Sequence, residues 1–336
     1  MLAPPKGLTE EALAATLARG WGIEVAGLEY RAVGFGSHHW EVVEAGGTRW
    51  FVTVDDLGLR RDAEHETYPQ VQARLAAGIG AARALKNAST DYEFIAAPVP
   101  SLDGALLLAV GEEFAASVYP LLEGESFGWG PFRRDEQRDA VVAMLIDIHH
   151  APLGRSVGAP VEDFRVQRRD ELERALADGA EVPERGPYSV PFAELVTRNA
   201  PTLRAALRKY DELVASATPD APRVLTHGEP HAGNTMLTAD GWKLIDWDTA
   251  ALAPPERDLW GLDAGDGAVL AAYAEATGYV PQPALLELYK LRWDLNDVGV
   301  CAAQLRREHV TDANTAMSWD AAQNVVRNLG VAVEQA

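Results

Sequence analysis

Apolar residues at Leu8, Leu13 and Leu17 recur at helical spacing, with Thr9 placed to cap the first turn and acids just behind it, so residues 8–19 are predicted helical. The period then falls to two. Residues 27–33 and 40–44 alternate on either side of the turn Gly34-Phe35-Gly36-Ser37-His38-His39, and a third run, 49–54, follows Ala45-Gly46-Gly47-Thr48, which predicts a three-stranded meander. A helix is expected from about residue 63 through 86, strands over 94–99 and 105–110, and an apolar stretch that stops at Pro120-Leu121-Leu122-Glu123-Gly124. Residues 134–150 form a strong amphipathic pattern halted by Ala151-Pro152. Helical patterns return over 168–176 and about 192–217, then Val224-Leu225-Thr226 is extended again. A broken, polar segment and a hairpin around Ala239-Asp240-Gly241 follow, and three helices close the chain over 268–277, 283–308 and 312–329. Strands gathered early and helices late describe an α+β protein with a small sheet lobe and a larger, mainly helical lobe.

At 336 residues the chain is long enough for two lobes, each with its own core. The single cysteine, Cys301, excludes an internal disulfide and reads as a small buried hydrophobe, since no Cys-His arrangement surrounds it. No apolar run approaches the ~20 residues of a membrane span and the first residues lack a secretory pattern, so a cytoplasmic protein with no membrane partner is expected. The formal charge of −20 argues against nucleic acid, whose phosphates attract Lys and Arg. The same charge could concentrate a cationic small molecule, although it also serves solubility.

The candidate chemistry lies between residues 223 and 258. His227, Glu229 and Asn234 fall within one glycine- and proline-broken loop, and Asp246 ends the hairpin that follows. An Asp carboxylate and an Asn carbonyl are hard oxygen donors suited to Mg²⁺, and a nearby acid can orient an attacking hydroxyl, which together is what phosphoryl transfer asks of a protein. The spacing matches a kinase catalytic loop, H-x-D-x-x-x-x-N, with Glu229 in place of the aspartate, and Asp246-Trp247-Asp248 takes the place of the metal-binding DFG turn.

At these residues the chain resembles the aminoglycoside phosphotransferase and choline kinase family, whose pattern is HGDxxxxN followed by IDW, and the spectinomycin-phosphotransferase-like branch in particular. The resemblance implies a bilobal protein-kinase-like fold with a nucleotide-binding lobe over 1–117, a hinge over 118–124 and a catalytic, substrate-binding lobe over 125–336. It implies ATP or GTP as phosphoryl donor, Mg²⁺ held by Asn234 and Asp246, Glu229 orienting the acceptor hydroxyl, His227 bracing the loop and Asp258 fixing it by hydrogen bonds. Gly34, Gly36 and Ser37 would face the phosphates, and the backbone of Leu121 and Leu122 the base. Trp293, Asp294 and Asp297, neighbours with Tyr289 on one predicted helix, could receive a cationic, aminoglycoside- or aminocyclitol-like antibiotic, or equally mark an amphipathic helix with surface acids.

Two residues depart from the family pattern. The strand lysine that should grip the phosphates is Thr53, with no lysine between Lys6 and Lys86, and Glu229 stands where aspartate is usual. Arg31, Arg60, Arg61, His38 and His39 are candidates to replace that cation, and Glu64 and Glu66 to be the acid that normally pairs with it. An active small-molecule O-phosphotransferase is the leading expectation, and a nucleotide- or ligand-binding pseudokinase the alternative.

Overall fold

The computed structural model describes residues 1–152, 158–216 and 221–334. The first helix, α1 (Glu10–Trp21), is capped as its sequence predicts, the Thr9 hydroxyl accepting from the Ala12 N–H and Gly22 closing the helix in a left-handed conformation. The meander β1 (Val25–Arg31), β2 (Ser37–Glu44) and β3 (Arg49–Asp56) is extended by β4 (Leu108–Val110) and β5 (Phe114–Pro120) into an antiparallel sheet of order β1-β2-β3-β5-β4. Alternation sorts its two faces. Trp40, Val42, Val52, Val54, Phe114 and Val118 pack with Leu13 and Leu17 of α1 into one apolar cluster. The intervening positions include a polar set in register, His39 against Thr53 and Thr53 against Ser117, with Ser37 opposite Asp55. That polar face roofs the cleft.

Helix α2 (Tyr68–Ala88) starts five residues later than its hydrophobic pattern suggested. Pro69 fits only a first turn, and Thr67 and Gln70 form a capping box there, so residues 57–67 are left as a loop. The stretch 94–99 is not a strand. It meets the sheets through an isolated bridge between Ile95 and Leu244 and a single bond from the Val99 N–H to the Val118 carbonyl at 2.7 Å, and Pro98 and Pro100 remove the donors a ladder would need.

In the second lobe β6 (Gly124–Ser126), β8 (Thr235–Thr238) and β9 (Gly241–Leu244) form a three-stranded sheet, while β7 (Val224–Thr226) pairs with β10 (Ala251–Ala253). Around them lie α3 (Asp135–His149), α4 (Arg169–Asp178), α5 (Ser189–Arg198), α6 (Ala200–Ser216), α7 (Glu256–Leu259), α8 (Ala268–Thr277), α9 (Pro283–Leu305) and α10 (Ala313–Glu334). The helix expected over 192–217 is two helices, because Pro201 is tolerated only near a helix start and forces a break at Asn199; Ala217 lies outside the described residues. The helix expected over 283–308 ends at Leu305. Cys301 is buried in the cluster that unites α4, α5, α6, α9 and α10.

A second cluster joins Ala81, Ala82 and Leu85 of α2 to Leu145 of α3, Leu244 of β9 and the buried Trp247. The approach is close at Gly78, where an added Cβ would stand 2.5 Å from the Asp248 carbonyl oxygen and 3.2 Å from that of Trp247. Gly80, one position away from that contact face, would meet only a Leu106 methyl at 3.8 Å. We therefore expect Gly78→Ala to destabilise by about 1–3 kcal/mol through backbone displacement, and Gly80→Ala to stabilise by about 0.5–1 kcal/mol through helix propensity. Urea unfolding of both variants measures the contrast, and equal effects would refute the packing argument.

Candidate active site

The loop after β7 is fixed by a carboxylate from outside it. Asp258, buried in α7, accepts the His227 N–H at 2.8 Å and the Gly228 N–H at 2.6 Å, and its Oδ2 also lies 3.1 Å from Nε2 of His149. Tyr273 holds the other nitrogen of His149 at 2.8 Å. Burial alone would raise the Asp258 pKa, but the His149 hydrogen bond and the charges around it bring it below the usual carboxylate range.

His227 is fixed in one tautomer by its partners. The Glu229 N–H can only donate, so Nδ1 of His227 accepts it at 3.2 Å, and Nε2 carries the proton donated to the Ile245 carbonyl at 2.9 Å. Burial lowers its pKa to about 4, with the ring packed edge-on against Trp247 at 4.7 Å. His227 thus ties the loop to the hairpin end that bears Asp246.

Asn234 donates from Nδ2 to the Glu229 carbonyl at 2.9 Å, which turns its Oδ1 outward with no partner among the described residues. Asp246 adopts a left-handed backbone, φ 65°, rare for a residue with a Cβ, and is exposed, its carboxylate without a hydrogen-bond partner among the described residues. Enclosure by the lobes raises its pKa, Arg60 opposes that and Asp55 adds to it. Enclosure and the nearby Asp246 charge push Glu229 up to about 7, against the pull of Arg60 and Arg257. Carboxylates held together against their own repulsion are relieved by a cation, and an Asp oxygen with an Asn oxygen is a donor set that fits Mg²⁺ completed by phosphates and water. Among the described residues no three His, Cys, Asp or Glu side chains cluster to hold a metal by themselves.

The other expected positions divide. Gly34 and Gly36 have φ of 72° and 93° in the β1–β2 turn, as a close-approach loop requires. Ser37 is buried and its hydroxyl donates to Asp55 at 2.8 Å, so it braces the turn from beneath. At the chain's crossing between lobes the Leu121 N–H is engaged with the Arg49 carbonyl at 3.3 Å, whereas Leu122 makes no such bond among the described residues. Trp293 lines a cavity of about 250 Å³ together with Glu229, Asp248, Trp260, Tyr289 and Asn296. Asp294 and Asp297 lie outside that lining; burial raises their pKa values to about 6 and about 7, Asp297 being lifted further by Glu229 and Asp294.

Several residues that build the site had no legible signal. His149 reads as a helix end and reaches Asp258 across 109 residues. Glu162 is buried between Arg257 and Arg292 in a paired cluster at the cavity wall, and those charges pull its pKa below the usual range although burial opposes them. Glu66 bonds Arg74 and Glu64 bonds Arg174, so neither is available as the acid of a strand cation.

Two measurements check this scaffold. Asp258→Ala strands two buried N–H groups and should cost about 2–4 kcal/mol of stability, read by urea unfolding. Because His227 folds with a pKa near 4, below the ordinary 6.5, it adds stability above pH 6.5 that is lost as the pH falls toward 4. His227→Gln removes that loss, so the stability gap between parent and variant should narrow from pH 7 to pH 4.5; a constant gap would refute the neutral, buried imidazole.

Residues 28–289 match the model of the family described as "Phosphotransferase enzyme family". Protein StrN of Streptomyces griseus is 31% identical over 237 residues, covering 68% of this chain and 70% of StrN. The fold is similar to a spectinomycin phosphotransferase solved with ADP and spectinomycin, with a TM-score of 0.69 at 17% identity over 98% of this chain and 100% of that one. It is also similar to a macrolide 2'-phosphotransferase from Brachybacterium faecium, with a TM-score of 0.52 at 22% identity over 94% and 98%. Both neighbours share the kinase-like arrangement of sheet lobe and helical lobe, and the match to the family model covers the glycine-rich turn and the 227–234 loop but ends at residue 289, before Trp293. The chain belongs to the phosphotransferase enzyme family and is a small-molecule phosphotransferase.

Proposed function

We propose that this protein transfers the γ-phosphoryl group of ATP to a hydroxyl of a small molecule, with Glu229 as the residue that receives the hydroxyl proton. The observation that carries the reading is the arrangement around Glu229. Its backbone is tied on one side to His227 and on the other to Asn234, and its carboxylate is left without a partner among the described residues, facing the cavity. The hydroxyl oxygen forms its bond to the γ-phosphorus, the bond from that phosphorus to the bridging oxygen breaks, ADP leaves, and the hydroxyl proton passes to the Glu229 carboxylate.

Positioning does most of the work in such a reaction. Gly34 and Gly36 allow the turn backbone to approach phosphate, and Leu122 offers an uncommitted backbone N–H where a base edge would lie. Asn234 through Oδ1 and Asp246 through its carboxylate are the residues that would hold Mg²⁺. The ion would offset phosphate charge when bound. A nucleotide donor is supported by the complexes of the structural neighbours with ADP and AMP.

The acceptor class is argued from the cavity and from those relatives. The cavity of about 250 Å³ is of a size for a small molecule, and Trp260 and Trp293, with ring centroids 5.6 Å apart, supply flat apolar walls beside acidic groups. An aminoglycoside- or aminocyclitol-like compound, carrying hydroxyls and an amine, suits that wall, and one structural neighbour was solved with spectinomycin.

The test is a transfer assay with MgATP and MgGTP across aminocyclitols, aminoglycosides and simpler polyols. Asp246→Asn should abolish Mg²⁺-dependent turnover with the fold intact by circular dichroism. Glu229→Gln should lose on the order of 10²-fold or more in kcat, and Glu229→Asp should not exceed the parent. A parent silent toward every acceptor, with transfer appearing in Glu229→Asp, would show that Glu229 disables the site and that the protein binds nucleotide without using it.

A further inference from the structure

The lysine missing from β3 leaves a question of charge, and the structure narrows it to one side chain. Thr53, at the lysine position, meets only His39, 3.3 Å from its hydroxyl. Arg31 pairs with Glu29 and Glu41 at the sheet margin. Arg61 lies over the Tyr68 ring at 4.6 Å, and His38 is buried against the Tyr30 hydroxyl. Arg60 differs from all of these. From the loop after β3 its Nε reaches Asp55 at 3.2 Å and its guanidinium pairs with Asp248, two residues past the candidate metal ligand Asp246. A Cβ built on Gly36 would stand 3.1 Å from its Nη1. One guanidinium therefore spans the space between the glycine-rich turn and the Asp246-Trp247-Asp248 segment, through which the phosphates of a nucleotide in this cleft must run.

The loop that carries Arg60 is held by both lobes. Within the first lobe the Asp56 carboxylate accepts the Gly58 and Leu59 N–H groups, and Arg74 donates to the Arg60 carbonyl at 2.6 Å. From the second lobe the Arg168 N–H donates to the Asp62 carbonyl at 2.7 Å and its Nη2 to the Gly58 carbonyl at 2.5 Å. Arg168 is 1% exposed, has φ of 56°, and leaves Nε and Nη1 without partners among the described residues. A strained backbone and unsatisfied buried N–H groups are each unfavourable, and such positions persist where the surrounding structure needs them. Here they fasten the Arg60 loop across the cleft.

Resting on the phosphotransfer reading above, we propose that Arg60 is the phosphate-binding cation of this enzyme, in place of the strand lysine, with Asp55 orienting it and Arg168 as its positioning residue, so that phosphate binding is coupled to the docking of the two lobes. Guanidinium suits the role, since its fork can hold one acidic partner while it engages a phosphate oxygen. Asp248 is the partner it exchanges when phosphate enters.

Titration calorimetry with MgATP, MgADP and adenosine tests this without reference to turnover. Arg60→Ala should weaken MgATP and MgADP about tenfold to a hundredfold while adenosine binding stays within about twofold of the parent. Thr53→Lys placed in the Arg60→Ala background should recover part of the loss. Arg168→Lys, which keeps charge but not the fork, should lower the ATP-to-adenosine affinity ratio in the same direction with adenosine unchanged. If Arg168→Ala fails to fold, the lysine variant still decides the positioning role. An unchanged ATP-to-adenosine ratio in Arg60→Ala, or a parent that binds no MgATP, overturns the proposal. A parent whose MgATP affinity depends on Arg60 but which phosphorylates no acceptor leaves the cation assignment standing and removes the phosphotransfer reading instead.

Discussion

One carboxylate holds the loop of His227 to Asn234 in shape. Asp258 satisfies two consecutive backbone N–H groups of a segment that has abandoned regular structure, and both of its oxygens are taken by the loop, with His149 added from α3. A loop at the floor of a cleft cannot leave its amides unpaired, since each buried orphan costs on the order of 1–3 kcal/mol. With Asp258 in place the backbone turns at Gly228, whose φ of 102° and contact with Arg257 admit no side chain. The direction of Glu229 follows from that turn.

From that anchor the connections run in two directions. His227 passes the constraint across eighteen residues to the hairpin end through the Ile245 carbonyl, and Asn234 passes it back across five to the Glu229 carbonyl, so loop and hairpin are tied together. The left-handed Asp246 is the strained member of this set, and its strain is borne by Trp247, buried beneath it with its indole N–H donating to the Leu244 carbonyl at 3.0 Å. Above, the polar face of the sheet contributes Asp55 and, through the next loop, Arg60. The cavity wall thus interleaves acids with arginines, Glu229 lying within the influence of both Arg60 and Arg257.

What the sequence made legible was local. The extended runs over 27–33, 40–44 and 49–54 and the capped start at Thr9 rest on neighbours a few residues apart, and the spacing of His227, Glu229, Asn234 and Asp246 lies within one supersecondary unit. What it concealed was either long-range or an effect of proline. Nothing near His149 signals a partner 109 residues away, and the Arg168 link to Gly58 spans 110. The apolar content of 94–99 suggested a strand, yet Pro98 and Pro100 could never complete a ladder; Pro201 split a helix for a related reason. Ser37 shows a subtler limit. It was expected to face phosphate from the turn, but it opens β2, and only the register with Asp55 reveals that its hydroxyl is engaged there.

Glutamate at 229 is the remaining departure from the family pattern, and the surrounding bonds explain how a longer side chain can serve. The backbone there is pinned before and after, so the extra methylene cannot be absorbed by shifting the loop and carries the carboxylate roughly one bond length further toward the cavity. On the proposed reading, an acceptor hydroxyl would then sit correspondingly further from the backbone of 229 while remaining in line with a phosphate held near Asn234 and Asp246. The far wall sets whether there is room. It is made by Trp293, which meets His231 edge-on at 6.3 Å and leans on Trp260, leaving a shallow space beside Glu229. Length at 229 and the position of that aromatic wall are coupled dimensions of one cavity. Neither can be read as a defect without the other.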